Sequence, residues 1–378
     1  MMRSSISAHH YISQDVLDEE FKVIFGKLWL FVGLKHFLRQ DRQYLTRKIG
    51  GVPIVVTRTA DGEIVAFENQ CPHRQMPLFM DDYGKKSLFC PYHGWAFNEN
   101  GSLRRLPNPE IYNIAPAECN LLGLRRVKCK VIGEFVFVNL TSDPLPIERQ
   151  YSAHLLNSFE TASSYLGDMV GYSKFYCGYN WKLNFENVKD WNHVAFLHSK
   201  SFAPLLEGRR VGTPAEHIGS DVWKEEDEDV MPLSLADLSY ETSSPMIRKT
   251  PWYDGLLDRY KGEDRYYNWF LYPNVNFTSI HGELFQIQQF NPVAPGVTEY
   301  HLWVMAARSK SKKMQNLAPL ISFLLKLEKA TIEEDRIYLE NLQQNLHQNS
   351  RPAMHGHYEL HIKQMNDWYA KALASGEV

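Results

Sequence analysis

Residues 71–95 read CPHRQMPLFMDDYGKKSLFCPYHGW, and this stretch decides how the chain is parsed. It holds Cys71-x-His73, sixteen intervening residues, then Cys90-x₂-His93. Each pair lies in a short loop stiffened by Pro72 or Pro91, and Gly94 permits close backbone approach or an unusual dihedral. Four soft or borderline ligands brought together from two loops point to a metal. Structural zinc usually pairs like ligands, Cys-x₂₋₄-Cys with His-x₃₋₅-His, whereas each loop here supplies one thiolate and one imidazole. That division suits a [2Fe–2S] cluster with two thiolates on one iron and two imidazoles on the other, the neutral imidazoles raising its potential. Zinc and coincidence stand as the competing readings. Trp95 reads either as a shield over such a cluster or as ordinary core.

Outward from these loops the text is strand-like. KIGGVPIVVTRTADGEIVAFEN carries two β-branched runs around Asp61-Gly62, a hairpin signal, and GLRRVKCKVIGEFVFVNL repeats the pattern around Gly133. Residues 41–145 are therefore expected to form a small all-β domain, ending near Pro144 and Pro146. Residues 1–40 read as a partly helical segment packing on the body. Residues 146–378 alternate in type. Asn184–His198 reads as a helix; RYYNWFLY, NVNFTSI, ELFQIQQFNPV and TEYHLWVMAA, within 265–307, read as strands with a connection from Asn291 to Gly296. Leu317–Leu346 and Glu359–Ala374 read as helices. The expected class is α+β: a small all-β domain and a larger domain with an antiparallel sheet flanked by helices. Residues 208–244, acidic and weakly periodic, read as a surface loop or a lid.

A second constellation lies in NWKLNFENVKDWNHVAFLH, Asn180–His198. A lone His-x₄-His is weak, and Asp190 three before His193 sharpens it only moderately. Asp190 and His193 share a helix face, but His198 lies about 140° further round an ideal helix. Both imidazoles reach one metal only if the helix ends, tightens or bulges near Phe196. Two histidines and a carboxylate make the facial triad of non-haem Fe(II) oxygenases, with positions left open. Asp190 itself can accept the other N–H of the His193 ring and fix its tautomer.

With both motifs in one chain, CPHRQMPLF…CPYHGWAFNENG resembles the cluster-binding segment of the Rieske ring-hydroxylating oxygenases, in particular their α (terminal oxygenase) subunits. The resemblance runs over about residues 15–375. It implies a [2Fe–2S] cluster on Cys71, His73, Cys90 and His93, and one Fe(2+) on His193, His198 and a distant Asp. The family's EEDxxxxE pattern is met by EEDRIYLE, which selects Asp335 over Glu333, Glu334 and Glu340. It further implies that Asp190 bridges the iron site to a cluster histidine, His93, of a neighbouring subunit, and that Asn187 stands close to the iron. The short Asn187–Asp190 gap is more like that of demethylating and monooxygenating members. The implied activity is hydroxylation, dihydroxylation or demethylation of a small organic, aromatic-type substrate with O₂. The implied assembly is a head-to-tail homotrimer, with an additional β subunit left open. No dinucleotide-binding Gly-x-Gly-x-x-Gly follows a strand, so electrons are expected from a separate ferredoxin or flavin reductase linked to NAD(P)H. A Rieske electron carrier or binding protein with a non-catalytic second domain is the alternative.

Composition bounds the rest. At 378 residues, 44% hydrophobic and 22% charged, the chain reads as ordinary globular protein. A net charge of −3 without a basic tract argues against nucleic acid. No apolar run is long enough for a membrane span, and the N-terminus lacks a secretory h-region, so a cytoplasmic location is expected. Five cysteines, two of them in the metal-like pattern, do not suggest a disulfide scaffold. Substrate-lining candidates are Phe185, Val194, Phe202, Leu205, Phe277, Phe285 and Ile287, with Arg209, Arg210 or His281 as possible carboxylate partners. His9, His10, His347, His355, His357 and His361 read as solvated.

Overall fold

The computed structural model describes residues 2–115, 118–206, 216–218, 233–248, 251–311, 316–346, 351–356 and 359–378. The chain divides into two compact units, Phe25–Leu145 and Met1–Ile24 with Pro146–Val378.

The smaller unit is built on seven antiparallel strands. From one edge these are Leu30–Leu34, Phe135–Asn139, Arg126–Ile132, Ile64–Glu68, Val52–Arg58, Gln43–Ile49 and Tyr83–Lys85. β-branched and aromatic residues fill the central strands, where they pack on a pleated surface. Val55, Val56, Ala66 and Phe67 are almost fully buried. At the Asp61-Gly62 turn, Gly62 has φ +92° and its N–H donates to Thr59 O at 3.1 Å. The sequence expectation of a separate 1–40 segment is corrected here. Leu30–Leu34 is a wholly buried strand paired with Phe135–Asn139, so residues from Phe25 onward belong to this unit. LWLFVGL is a short apolar run whose type periodicity alone cannot assign.

In the larger unit, seven antiparallel strands run in the order Leu166–Cys177, Val297–Ala307, Leu284–Ala294, Val275–Ile280, Arg265–Leu271, Tyr240–Pro245 and Glu216–Ile218. The expected connection shrinks to Pro295-Gly296, because the strand before it runs on through Asn291 and Pro292 to Ala294. The principal helices are α1 (Gln14–Val23), α2 (Ala153–Ser163), α3 (Trp181–Lys189), α4 (Val194–Leu197), α5 (Ala318–Asn345) and α6 (Leu360–Ser375). Within residues 208–244, 208–215 and 219–232 lie outside the described residues. No described helix is long and apolar enough to cross a membrane.

Helix α3 is anchored by a buried charge network. Glu20 of α1, fully buried, accepts from Trp181 Nε1 at 2.8 Å, from the Lys182 ammonium and from the Tyr369 hydroxyl of α6. One turn on, Glu186 accepts from Tyr11 at 2.8 Å and Asn366 at 3.0 Å. Polar groups this deep are stable only when paired, and the pairing ties three helices to one another.

Candidate functional site

The two Cys/His loops share one backbone frame. The N–H of Cys71 donates to Met76 O (2.9 Å) and that of Gln75 back to Cys71 O (2.8 Å); Cys90 to Trp95 O (2.8 Å) and Gly94 to Cys90 O (3.1 Å) repeat the pattern. The fourth residue after the first in each loop sits in the left-handed region, Gln75 at φ +57° and Gly94 at +74°. A Cβ on Gly94 would also come within 3.2 Å of the Pro107 ring, so glycine is favoured there by space as well as conformation. Asn69 pins the first loop: its side chain donates to Phe79 O (2.7 Å) and accepts from Leu78 and Phe79 N–H.

These frames bring the four side chains together. Cys71 and Cys90 are buried, and the His73 and His93 rings lie 4.6 Å apart. Trp95 stacks on His73 at 5.3 Å with the planes 4° apart, covering the imidazole with an apolar face. Burial pushes the Cys71 thiol up to about 11, so a thiolate there requires a cation. Burial, with His93 and Arg74 nearby, lowers the pKa of His73 and favours the neutral imidazole that a metal takes. The buried His73 Nδ1 has no partner among the described residues. Two buried cysteines and an orphaned imidazole nitrogen are what a Cys₂His₂ cluster would satisfy.

The second constellation assembles through a helix break. The expected single helix from Asn184 to His198 is two. α3 starts at Asn180, whose side chain accepts from Lys182 N–H at 3.0 Å, and it ends at an extended Asp190. The Asp190 carboxylate accepts from Asn192 N–H at 2.7 Å, an Asx turn that restarts the chain as α4. The helix is interrupted at Asp190–Asn192, where a side chain that caps its own following backbone competes with it, and it ends beside Phe196 as expected: α4 stops at Leu197 and His198 leaves the helical region at φ −95°, ψ 25°. His193 and His198 then bracket a single turn, with ring centroids 5.3 Å apart.

Asp335 of α5 completes the set. Its Oδ1 stands 3.1 Å from His198 Nε2 and 3.7 Å from His193 Nε2, and one ligand atom from each residue falls within 4.8 Å of the others. Both outer ring nitrogens face carboxylates: His193 Nδ1 faces Asp190 at 3.4 Å, and His198 Nδ1 faces Glu334 at 2.7 Å. Burial lowers the pKa of His198, but Asp335 and Glu334 outweigh it and raise the net value. Burial likewise raises Asp190, which His193 and the local N–H groups pull below its usual range. The centre is thus an anionic cup with two Nε2 atoms and a carboxylate oxygen converging, which fits a divalent iron with open positions.

Sequence reasoning passed over Glu334. It figured only as a rival to Asp335, yet it orients His198 and accepts from the Ser201 hydroxyl at 2.8 Å. Glu333 instead pairs with Arg336, and Glu340 accepts from Gly178 N–H at 2.9 Å. One signal was available: adjacent residues on a helix differ by about 100°, so Glu334 and Asp335 can address two atoms of one site.

A cavity opens beside the three ligands and includes Asn187 and Asp190. Val194, Phe202 and Leu205 line it as expected, but Phe185, Phe277, Phe285 and Ile287 are buried and do not. Strand alternation explains the correction: Phe285 and Ile287 face away, and their neighbours Gln286 and Gln288 face in. Polar side chains thus join a lining that is otherwise largely apolar, Asn184, Asn268, Asn276 and Glu328 among them. Burial lifts Glu328 to about 7 against the opposing effects of Gln286 and His198. His281 lies elsewhere, 3.3 Å from Asp264, and Arg209 and Arg210 fall outside the described residues. Of the remaining histidines, His361 bonds Lys189 O at 3.0 Å and His10 contacts Ser7; His347 and His357 lie outside the described residues.

A sheet carrying two Cys/His loops, in one chain with a two-histidine, one-carboxylate cup on the helices of a second unit, defines a Rieske-type protein with a mononuclear metal domain. Residues 28–116 match the Rieske [2Fe-2S] domain and residues 151–375 the ring hydroxylating alpha subunit (catalytic domain). The chain belongs to the ring-hydroxylating α-subunit family. An anthranilate 1,2-dioxygenase large subunit from Burkholderia cepacia is 32% identical over 219 residues, covering 55% of this chain and 50% of that one. A glycine betaine monooxygenase oxygenase subunit from Pseudomonas aeruginosa is 29% identical over 211 residues, covering 56% and 48%. The matched region spans about half the length of these curated relatives. A solved quaternary ammonium Rieske monooxygenase shares the fold, with TM-score 0.78 at 20% identity over 98% of this chain and 95% of that one. The two matched domains imply a [2Fe–2S] cluster and a mononuclear iron.

Proposed function

We propose that this chain is a terminal oxygenase acting on a small organic substrate with O₂. Cys71, Cys90, His73 and His93 hold the cluster, and His193, His198 and Asp335 hold the iron. When bound, the cluster supplies single electrons and the iron supplies a site for O₂. The observation that carries the reading is the convergence of His193, His198 and Asp335 within 4.8 Å beside a cavity. A Rieske electron carrier with an inert second domain would have no use for that cup.

The protein's own groups divide the work. Glu334, hydrogen-bonded to His198 Nδ1 at 2.7 Å, keeps that nitrogen protonated so that the Nε2 lone pair faces inward, and the Asp190 carboxylate faces His193 Nδ1 at 3.4 Å. Asp190, with one carboxylate oxygen on Asn192 N–H and the other toward His193, is the residue through which electrons enter, from His93 of a neighbouring copy in a head-to-tail trimer. Asn187 stands in the cavity wall one turn before it and orients the substrate. Electrons come from a separate ferredoxin or flavin reductase. The carboxamides and Glu328 in the cavity wall favour a substrate richer in hydrogen-bonding groups than a plain aromatic hydrocarbon.

Metal and acid-labile sulfide analysis tests this: three irons and two sulfides per chain are expected. His193→Ala should lower iron to two while the cluster's visible spectrum persists. Two irons in the parent protein, or a third retained in the variant, would refute the assignment.

A further inference from the structure

A second cleft lies wholly on the smaller unit, and its charge is one-sided. It encloses about 690 Å³, and Arg42, Arg58, Lys86 and Arg104 line it against a single carboxylate, Glu99. That carboxylate already accepts from the Ala60 N–H at 2.9 Å.

The backbone sets three of the cations side by side. Arg42 donates its N–H to Arg58 O at 2.8 Å, and its own carbonyl accepts from Lys86 N–H at 2.9 Å. It does so in the left-handed region, at φ +59°, where glycine sits freely and a residue with a side chain loses about 1 kcal/mol. Arg104 reaches the same cleft from the strand Leu103–Arg105, which pairs with Ala96–Phe97.

These charges are poorly matched by the protein. Arg104 has no side-chain partner among the described residues. Arg58 and Lys86 donate to carbonyls rather than carboxylates, Leu38 O and Leu78 O, each at 3.4 Å. Arg42 stands 3.8 Å from Asp41, which Lys85 also approaches at 3.5 Å. Exposed cations are stable in water without partners. What calls for a ligand is their convergence round one concavity, of the size that small molecules fill, about 300–1,000 Å³. Guanidinium forks take carboxylate and phosphate oxygens in pairs, and an ammonium adds a point charge.

We infer that this cleft is a second ligand site, taking a small polyanion of the phosphate or carboxylate kind on Arg42, Arg58, Lys86 and Arg104. Nothing in it involves the metal cup, so it stands or falls apart from the oxygenase reading.

Pyrophosphate and citrate are the probes, with acetate as the single-charge control, in calorimetry at one fixed ionic strength. At least one probe should bind at about one per chain, and acetate about tenfold more weakly or worse; whichever probe binds tighter tells phosphate from carboxylate. Arg42→Gly suits the backbone there and removes the guanidinium, and together with Arg104→Gln it should weaken the probe by about tenfold or more. Arg105, the next residue on the strand, is exposed but does not line the cleft. Arg105→Gln should therefore change binding by less than about twofold. Equal loss in Arg105→Gln would reduce the effect to general surface charge and overturn the inference. So would failure of both probes to bind by about 10 mM. If an acidic ferredoxin then bound in their place, and lost affinity in the double variant, the cleft would be a protein-docking surface instead.

Discussion

Glu334→Ala should loosen the mononuclear iron and leave the cluster untouched. Glu334 accepts from His198 Nδ1 at 2.7 Å, which forces the proton onto that nitrogen and the lone pair onto Nε2, 3.1 Å from Asp335. A hydrogen bond with one charged partner contributes about 1.5–3 kcal/mol. The Glu334 side chain is 39% exposed, so solvent screening moves the figure to the lower end, about 1.5 kcal/mol, or roughly tenfold in iron affinity. Glu334→Gln retains an acceptor and should lose only about threefold. The assay is removal of Fe(II) by a ferrous chelator, with cluster absorbance as the internal reference. An alanine variant that holds iron as tightly as the parent would show that the His198 tautomer is fixed by something else. Equal loss of cluster absorbance would point instead to general damage.

Asp190→Ala should keep both metals yet lower turnover by orders of magnitude, measured as substrate-coupled O₂ uptake; full, coupled activity would remove Asp190 from the electron path. Glu20→Gln leaves Lys182, 2% exposed, without its anion and should cost about 3–5 kcal/mol in denaturant unfolding. A loss below about 1 kcal/mol would mean that Lys182 is uncharged in the fold. For Glu299, burial raises the pKa, but the hydrogen bond and charge of His301, with Tyr176 and Lys174, outweigh it and hold it at about 2. A depressed carboxylate stabilises above its unfolded pKa and is lost as pH falls through the folded one. Glu299→Gln should therefore flatten the stability decline between pH 4.5 and about 2; an unchanged acid profile would contradict this.

The cluster loops were legible because their chemistry is local. Cys71-x-His73 and Cys90-x₂-His93 each lie within one tight turn, and the flanking strands announce themselves by alternation. The iron site was half legible. His193 and Asp190 are near in sequence, but the Asx turn that makes them usable depends on a side chain choosing its own backbone over the helix, which periodicity does not see. Asp335 was reached by likeness of EEDRIYLE to a family pattern, since 136 residues of chain separate it from His198 and spacing over that distance carries no geometry. The cavity was misjudged for a simpler reason. In LFQIQQF the candidates were Phe285 and Ile287, and period two puts those two on the opposite face from Gln286 and Gln288.

Helix α5 carries the metal carboxylate Asp335, the orienting Glu334 and the cavity's Glu328 on one uninterrupted rod. A residue inserted or deleted between Glu328 and Asp335 would shift one against the other by about 1.5 Å and 100°, uncoupling the cavity wall from the metal cup in a single event. Lineages of this protein should therefore tolerate exchange of side chains along the strands that floor the cavity, while the length of this rod stays fixed. New substrate preferences would be reached by repainting the sheet and leaving the helix as the common ruler.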